Sequence, residues 1–176
     1  VETAEEAQRV ASQCRFPPLG HRSMGGGLQQ LGFASMPVGE AARVVNDETL
    51  VVVMIESPRG LENCEAIAAV PGVDALLIGT NDLCFEMGIP GQFDDPRVTD
   101  AYTRVIAACR KHGKFPGMGG LYTAPLFERF VGMGVQLVLY GSDFSLLMQA
   151  GAERARLARG SPAWPDSAAP VLRRLA

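Results

Sequence analysis

The stretch VVVMIESPRGLENCEAIAAVPGVDALLIGTNDL, residues 51–83, decides the fold. It holds two apolar runs, and each stops at an acid. The first ends in Ile55-Glu56. The second ends in Gly79-Thr80-Asn81-Asp82, which sets the two carboxylates 26 residues apart. LVVVMIE (50–56) is a continuous, largely β-branched run, the pattern of a strand covered on both faces. VDALLIG (73–79) reads as the next strand. Between them, residues 60–70 place Leu61, Cys64, Ile67 and Ala68 on one side of a helix.

Working outward, the alternation repeats. Asp95-Pro96 is an N-cap with proline at the first helical position. Val98, Tyr102, Val105, Ile106 and Cys109 carry that helix to a Gly113 stop. KFPGMGG (114–120) reads as a short third strand. Thr123 is expected to cap a helix containing Leu126, Phe127, Phe130 and Val131, where both phenylalanines fall on core spacing. VQLVLYG (135–141) is the fourth strand. Residues 144–159 form a last helix with Leu146, Leu147, Ala150 and Leu157, and Asp143 is expected to cap it. Upstream, Thr3-Ala4-Glu5-Glu6 is a capping box, with the Thr3 hydroxyl serving the Glu6 amide and Glu6 reaching back. RFPPLGHRSMGGG (15–27) is loop by its breakers, and a short helix is expected at 38–45. The proline-rich tail GSPAWPDSAAP (160–170) is expected to be poorly ordered, which divides the chain into 1–160 and 161–176.

Strand and helix alternating four times make an α/β chain with a parallel sheet. Its crossovers should be right-handed. An open doubly wound sheet and part of a (β/α) barrel both fit. In either, function gathers beyond the carboxyl ends of the strands, where Glu56 and Asp82 lie.

The totals narrow the function. The chain has 176 residues, 47% hydrophobic and 20% charged, enough for one real core. A formal charge of −3 gives no basic footprint, so nucleic acid is not an expected partner. The longest apolar runs are about seven residues, too short to span a bilayer, so no membrane association is expected. No export signal opens the sequence, and the four cysteines include no C-x-x-C, so a cytoplasmic location is expected. There are only two lysines, Lys111 and Lys114, and two histidines, His21 and His112.

Neighbouring parallel strands lie roughly 4.8 Å apart, so Glu56 and Asp82 can reach one point above the sheet. Two acids without a paired cation repel each other. A hard dication removes the conflict, because Mg²⁺ takes one or two protein carboxylates and fills its other positions with water and substrate oxygens. Asp82 also opens the segment DLCFEM (82–87), whose amides and positive dipole end suit a substrate carboxylate. The plainer alternative makes Glu56 a surface acid and Asp82 an ordinary N-cap.

The stretch from 51 to 98 resembles the central part of the HpcH/HpaI aldolase family, metal-dependent class II pyruvate aldolases related to 4-hydroxy-2-oxoheptanedioate aldolase. RFPPLGHRSMGGG resembles that family's loop after the fourth barrel helix. KFPGMGG and VQLVLYGSD resemble its seventh and eighth strands. The resemblance covers about residues 1–158 and implies a (β/α)8 TIM barrel of which strands five to eight are present. It implies metal ligation by Glu56 and Asp82, with Mg²⁺, Mn²⁺ or Co²⁺ as cofactor. The backbone at Asn81 falls where the family holds the pyruvate carboxylate, which makes Gly79, Thr80, Asn81 and Asp82 the implied substrate-binding set. The implied reaction is cleavage of a 4-hydroxy-2-oxo acid to pyruvate and an aldehyde, through an enolate stabilised by a Lewis acid. The family is often hexameric and exchanges its last helix between subunits, so a homo-oligomer is implied.

The lysine count points the same way. A Schiff-base aldolase needs an amine at the site, and Lys111 and Lys114 lie around a helix end and a strand start, at the wrong end of the sheet. Two departures stand out. The family's general-base histidine, its supporting aspartate and its enolate-stabilising arginine all belong to the half not represented here, so no catalytic acid or base is assigned. The position two before the glutamate, often glutamine in the family, is Met54.

His21 and Arg22 are candidate loop contacts near the active face, for an acidic substrate or a neighbouring subunit; the plainer alternative is a solvated loop pair. His112, in CRKHGK at a helix end, is read as structural. GMGG (117–120) lacks the spacing and the lysine of a phosphate cradle and is read as close packing at a strand end. Two other functions stay open. One is a non-catalytic half-barrel that self-associates or binds a longer relative. The other is an open α/β ligand-binding domain.

Overall fold

The computed structural model describes residues 1–25 and 28–160. The expected tail, 161–176, lies outside the described residues. The described chain falls into two units, 1–140 and the part that begins at Gly141.

In the first unit, α1 (Ala4–Cys14) leads through the loop and a 3-10 turn (Gln29–Leu31) to α2 (Val38–Glu48). Then come β1 (Val52–Ile55), the short helices α3 (Pro58–Glu62) and α4 (Cys64–Ala68), β2 (Ala75–Gly79) and α5 (Thr80–Glu86). The unit closes with α6 (Pro96–His112), β3 (Phe115–Gly119), α7 (Ala124–Met133) and β4 (Leu137–Leu139). Local chemistry sets most ends. Thr3 accepts from the Glu6 amide at 3.2 Å, while Glu6 reaches back to the Glu2 amide at 2.8 Å. Asp95 caps α6 by accepting from the Arg97 amide, and Gly113 ends it in the left-handed region at φ 65°.

Several details depart from expectation. The helix expected over 60–70 is broken at Asn63 into α3 and α4. Thr123 precedes α7 but makes no side-chain cap bond. The expected start of a helix at Asp82 moves back to Thr80, because β2 hands directly into α5 at Gly79.

The four strands are parallel and lie in chain order, β1-β2-β3-β4. Val53, Ile55, Leu76, Ile78, Met118 and Val138 all face one helical layer. There they meet Ile67 of α4, Tyr102 and Val105 of α6 and Phe130 of α7. A doubly wound sheet covers both faces and reverses strand order at its switch point. Among the described residues the strand order does not reverse, so the open alternative falls away. The layout is that of four consecutive βα units, a partial (β/α)8 barrel.

The other face carries alternate residues. Leu77 is 1% exposed there and lies against the glycines of β3. A Cβ on Gly117 or Gly119 would stand 3.2 or 3.3 Å from the Leu77 side chain. This confirms the close-packing reading of GMGG. Met54 lies on the same face and is half-exposed.

The second unit contains α8 (Asp143–Arg159). Ser142, rather than Asp143, is its cap: Ser142 and Ser145 exchange side-chain bonds with each other's backbone. No helix among the described residues is long and apolar enough to cross a membrane.

Candidate active site

The pairing of β1 with β2 puts Ile55 opposite Ile78. One step further along both strands, Glu56 comes beside Gly79. The fit is tight: a Cβ on Gly79 would stand 2.7 Å from both Cγ and Oε1 of Glu56. Only hydrogen leaves room for that carboxylate. Asp82 follows three residues later, in the first turn of α5. Its carboxyl comes within hydrogen-bonding reach of Glu56. Burial, then the charge of Asp82 and its hydrogen bond, push the Glu56 carboxyl above the ordinary range. The two acids singled out by sequence therefore converge at the carboxyl ends of adjoining strands.

The residues between them are held from below. Thr80 is fully buried. Its hydroxyl donates to the Gly119 carbonyl at 3.0 Å and lies 2.8 Å from the Tyr102 hydroxyl. Its side chain is thus spent inside the fold, and only its backbone remains of the expected substrate-binding role. Asn81 is exposed, and its amide donates to the Gly120 carbonyl at 3.3 Å. Gly120 has φ +84°, and a Cβ there would lie 2.7 Å from Asn81 Nδ2.

His21 and Arg22 are not part of this grouping. Their amides donate to the Ser12 and Arg15 carbonyls at the end of α1. Arg15 in turn pairs with Asp74, just before β2, at 2.7 Å. That is the amino end of the sheet, opposite Glu56 and Asp82. The expectation of an active-face position is corrected, because α1 runs away from the carboxyl ends and the loop starts where it finishes. A concavity of about 520 Å³ there is lined by Gln8, Ser12, Arg15, Gly20, His21 and Gly72. It belongs to that far end. Lys111 pairs with Glu65, and Lys114 donates to the Val73 carbonyl at 2.7 Å. Both sit at the amino ends of β2 and β3, as their spacing predicts. His112 closes α6, 4.0 Å from Glu65.

Glu56 and Asp82 offer two carboxylates and no nearby cationic side chain among the described residues. No described group of three or more His, Cys, Asp and Glu side chains converges. That donor set is too small for a closed zinc site. It fits a hard dication that keeps water and substrate oxygens in its remaining positions.

The family model for HpcH/HpaI aldolase/citrate lyase matches residues 1–150. The chain belongs to the HpcH/HpaI aldolase/citrate lyase family. A 4-hydroxy-4-methyl-2-oxoglutarate aldolase of Chaetomium globosum is 40% identical over 158 residues, covering 88% of this chain and 59% of that protein. A hydroxypyruvate/pyruvate aldolase of Delftia acidovorans is 37% identical, covering 98% and 63%. Among solved structures, an HpcH/HpaI aldolase from Desulfitobacterium hafniense superposes with a TM-score of 0.80 at 29% identity, over 94% of this chain and 63% of that one. The chain thus spans about 60% of the length of the curated relatives it matches.

Sequence reasoning missed the supports. Tyr102 reads as one more apolar position of the α6 stripe. Its signal was the hydroxyl, since a tyrosine on a fully buried stripe must find a partner. Gly79 as the seat of Glu56 could not be read before the strand register was known.

Proposed function

We propose that this chain carries the metal- and oxo-acid-binding half of a divalent-metal-dependent aldolase, which cleaves 4-hydroxy-2-oxo acids to pyruvate and an aldehyde. The observation that carries this reading is the convergence of Glu56 and Asp82 at adjoining strand ends. Membership of an aldolase family supports it. Glu56 and Asp82 would hold Mg²⁺, Mn²⁺ or Co²⁺. Bound there, the metal supplies Lewis-acid polarisation of a 2-oxo acid chelated through its carboxylate and keto oxygens.

The chain's own part is binding and orientation. Gly79 leaves the space that Glu56 fills, which would let both carboxylates serve one ion. The Asn81 backbone, next to Asp82 in the chain and tied through its side chain to Gly120, would face the substrate carboxylate. Neither lysine is within reach, so no Schiff base forms on this chain. Among the described residues beside the carboxylates none is a histidine or arginine, and the proton-transfer groups are assigned to the part of the relatives that this chain does not span. The product pair would be pyruvate and an aldehyde, handled by a homo-oligomer. Exposed Phe144, Leu146, Leu147 and Met148 on α8 offer apolar surface for such assembly.

The test is metal-dependent release of pyruvate from a 4-hydroxy-2-oxo diacid, by this chain joined to the amino-terminal part of a relative. Turnover should require Mg²⁺, Mn²⁺ or Co²⁺ and fall by about 10²–10³-fold in Glu56→Gln, the scale of losing a group that stabilises the developing oxyanion. Turnover unaffected by chelator, or intact in Glu56→Gln, would contradict the reading.

A further inference from the structure

Beneath the carboxylate pair lies a buried polar relay that core packing alone does not require. Tyr102 and Thr80 are both 0% exposed. Thr80 has one hydroxyl hydrogen, and it goes to the Gly119 carbonyl, 3.0 Å away. The 2.8 Å contact with Tyr102 must then be donated by the phenol. The chain of bonds has one direction: Tyr102 to Thr80 to Gly119. Burial pushes the phenol upward, which keeps it the donor. The Tyr102 ring is itself fixed by stacking on Phe130, with centroids 3.9 Å apart and planes 20° apart.

The relay stands at a particular place. Thr80 is the first residue of α5, two before Asp82. Gly119 ends β3, and the next residue, Gly120, accepts from the Asn81 amide. Two consecutive residues of the β2–α5 junction are thus tied to two consecutive carbonyls at the end of β3. Thr80 is the inner tie, and it is completed from α6.

We propose that Tyr102 is a positioning residue for the carboxylate pair, acting through Thr80 to fix the β2–α5 junction against β3 and so to aim Asp82 at Glu56. This rests on the reading of that pair as a metal site for its functional meaning, though not for its structural test. Groups behind metal ligands commonly change affinity by 10–100-fold when removed.

The experiment uses the 176-residue chain and three variants: Tyr102→Phe, Thr80→Val and Thr80→Ser. Mn²⁺ binding is followed by the electron paramagnetic resonance signal of free Mn²⁺. Amide hydrogen exchange is measured without metal, and thermal unfolding monitors the fold. Thr80→Val is expected to weaken Mn²⁺ binding by roughly tenfold or more, and Tyr102→Phe by several-fold. Thr80→Ser, which keeps the hydroxyl, should stay within about twofold of the parent. Exchange should rise across 80–86 in the first two variants and stay unchanged across the rest of α6. Unchanged exchange and Mn²⁺ affinity in both Tyr102→Phe and Thr80→Val would overturn the proposal. So would a serine variant as impaired as the valine one. If Thr80→Val does not fold, Tyr102→Phe, which removes a single oxygen, decides. If the parent chain binds no Mn²⁺, the metal reading fails, and the exchange result alone decides the positioning role.

Discussion

At the scale of single residues, the site depends on what is absent as much as on what is present. Gly79 has no side chain, and Glu56 occupies the space that one would fill. Gly79→Ala should therefore turn Glu56 away from Asp82 and weaken Mn²⁺ binding by about tenfold or more, while far-UV circular dichroism stays that of the parent. Binding at parental strength would show that the carboxylate has another seat. The charge state of Glu56 gives a second prediction. Its carboxyl is held above the ordinary range by burial first and by Asp82 second. In the metal-free chain, an NMR titration of Glu56 should show its midpoint above about 4.3, the usual glutamate value. Asp82→Asn should lower that midpoint without restoring the usual value, because burial remains. The sign for stability follows: a raised carboxyl costs stability above its folded midpoint, and that cost is relieved as pH falls through it. Glu56 and Asp82 were legible in the sequence because acids that end apolar runs are conspicuous. Gly79 and Tyr102 were not, because their roles are set by which atoms lie beside them across the sheet.

At the scale of elements, order and type were readable, and ends were less so. β-branched runs, Asp95-Pro96 and Gly113 mark their elements through local chemistry, and the structure keeps them. The break at Asn63, the Thr80 start of α5 and the Ser142 cap were not marked by the local pattern of residues. His21 and Arg22 were misplaced because a loop's direction depends on where its helix ends in space. The amino end of the sheet makes its own prediction. Asp74 accepts from both Arg15, at 2.7 Å, and the Val51 amide, at 2.7 Å, and so ties α1 to the entrances of β1 and β2. Its side chain is 30% exposed, against 10% for Arg15. Asp74→Ala should cost about 2–3 kcal/mol, below the 3–5 kcal/mol of a fully buried pair because solvent screens the aspartate. Urea denaturation measures this, and a loss under about 0.5 kcal/mol would show the tie to be superficial. On the helical layer, Phe130→Ala should cost about 3–5 kcal/mol, since Phe130 is fully buried against Tyr102.

At the scale of the whole molecule, four parallel strands in chain order make an incomplete barrel, and among the described residues β1 and β4 each pair on one side only. Unpaired edges and the exposed Met54 and Leu139 favour association. Sedimentation of the 176-residue chain should accordingly show assemblies larger than a monomer, and a lone folded monomer would count against this. The fold class was legible because periodicity reports local burial. The choice between an open sheet and a barrel was not, because it depends on strand order and on which face the helices cover. What connects the scales is that the strand register sets Glu56 and Asp82 at the carboxyl ends of adjoining strands. The most direct measurement is Mn²⁺ titration of this chain beside Glu56→Gln and Asp82→Asn, with and without pyruvate. The account predicts one Mn²⁺ per chain, binding weakened by about tenfold or more in either variant, and a change in the bound-Mn²⁺ resonance when pyruvate is added to the parent chain. Equal Mn²⁺ binding by the parent and both variants would contradict it.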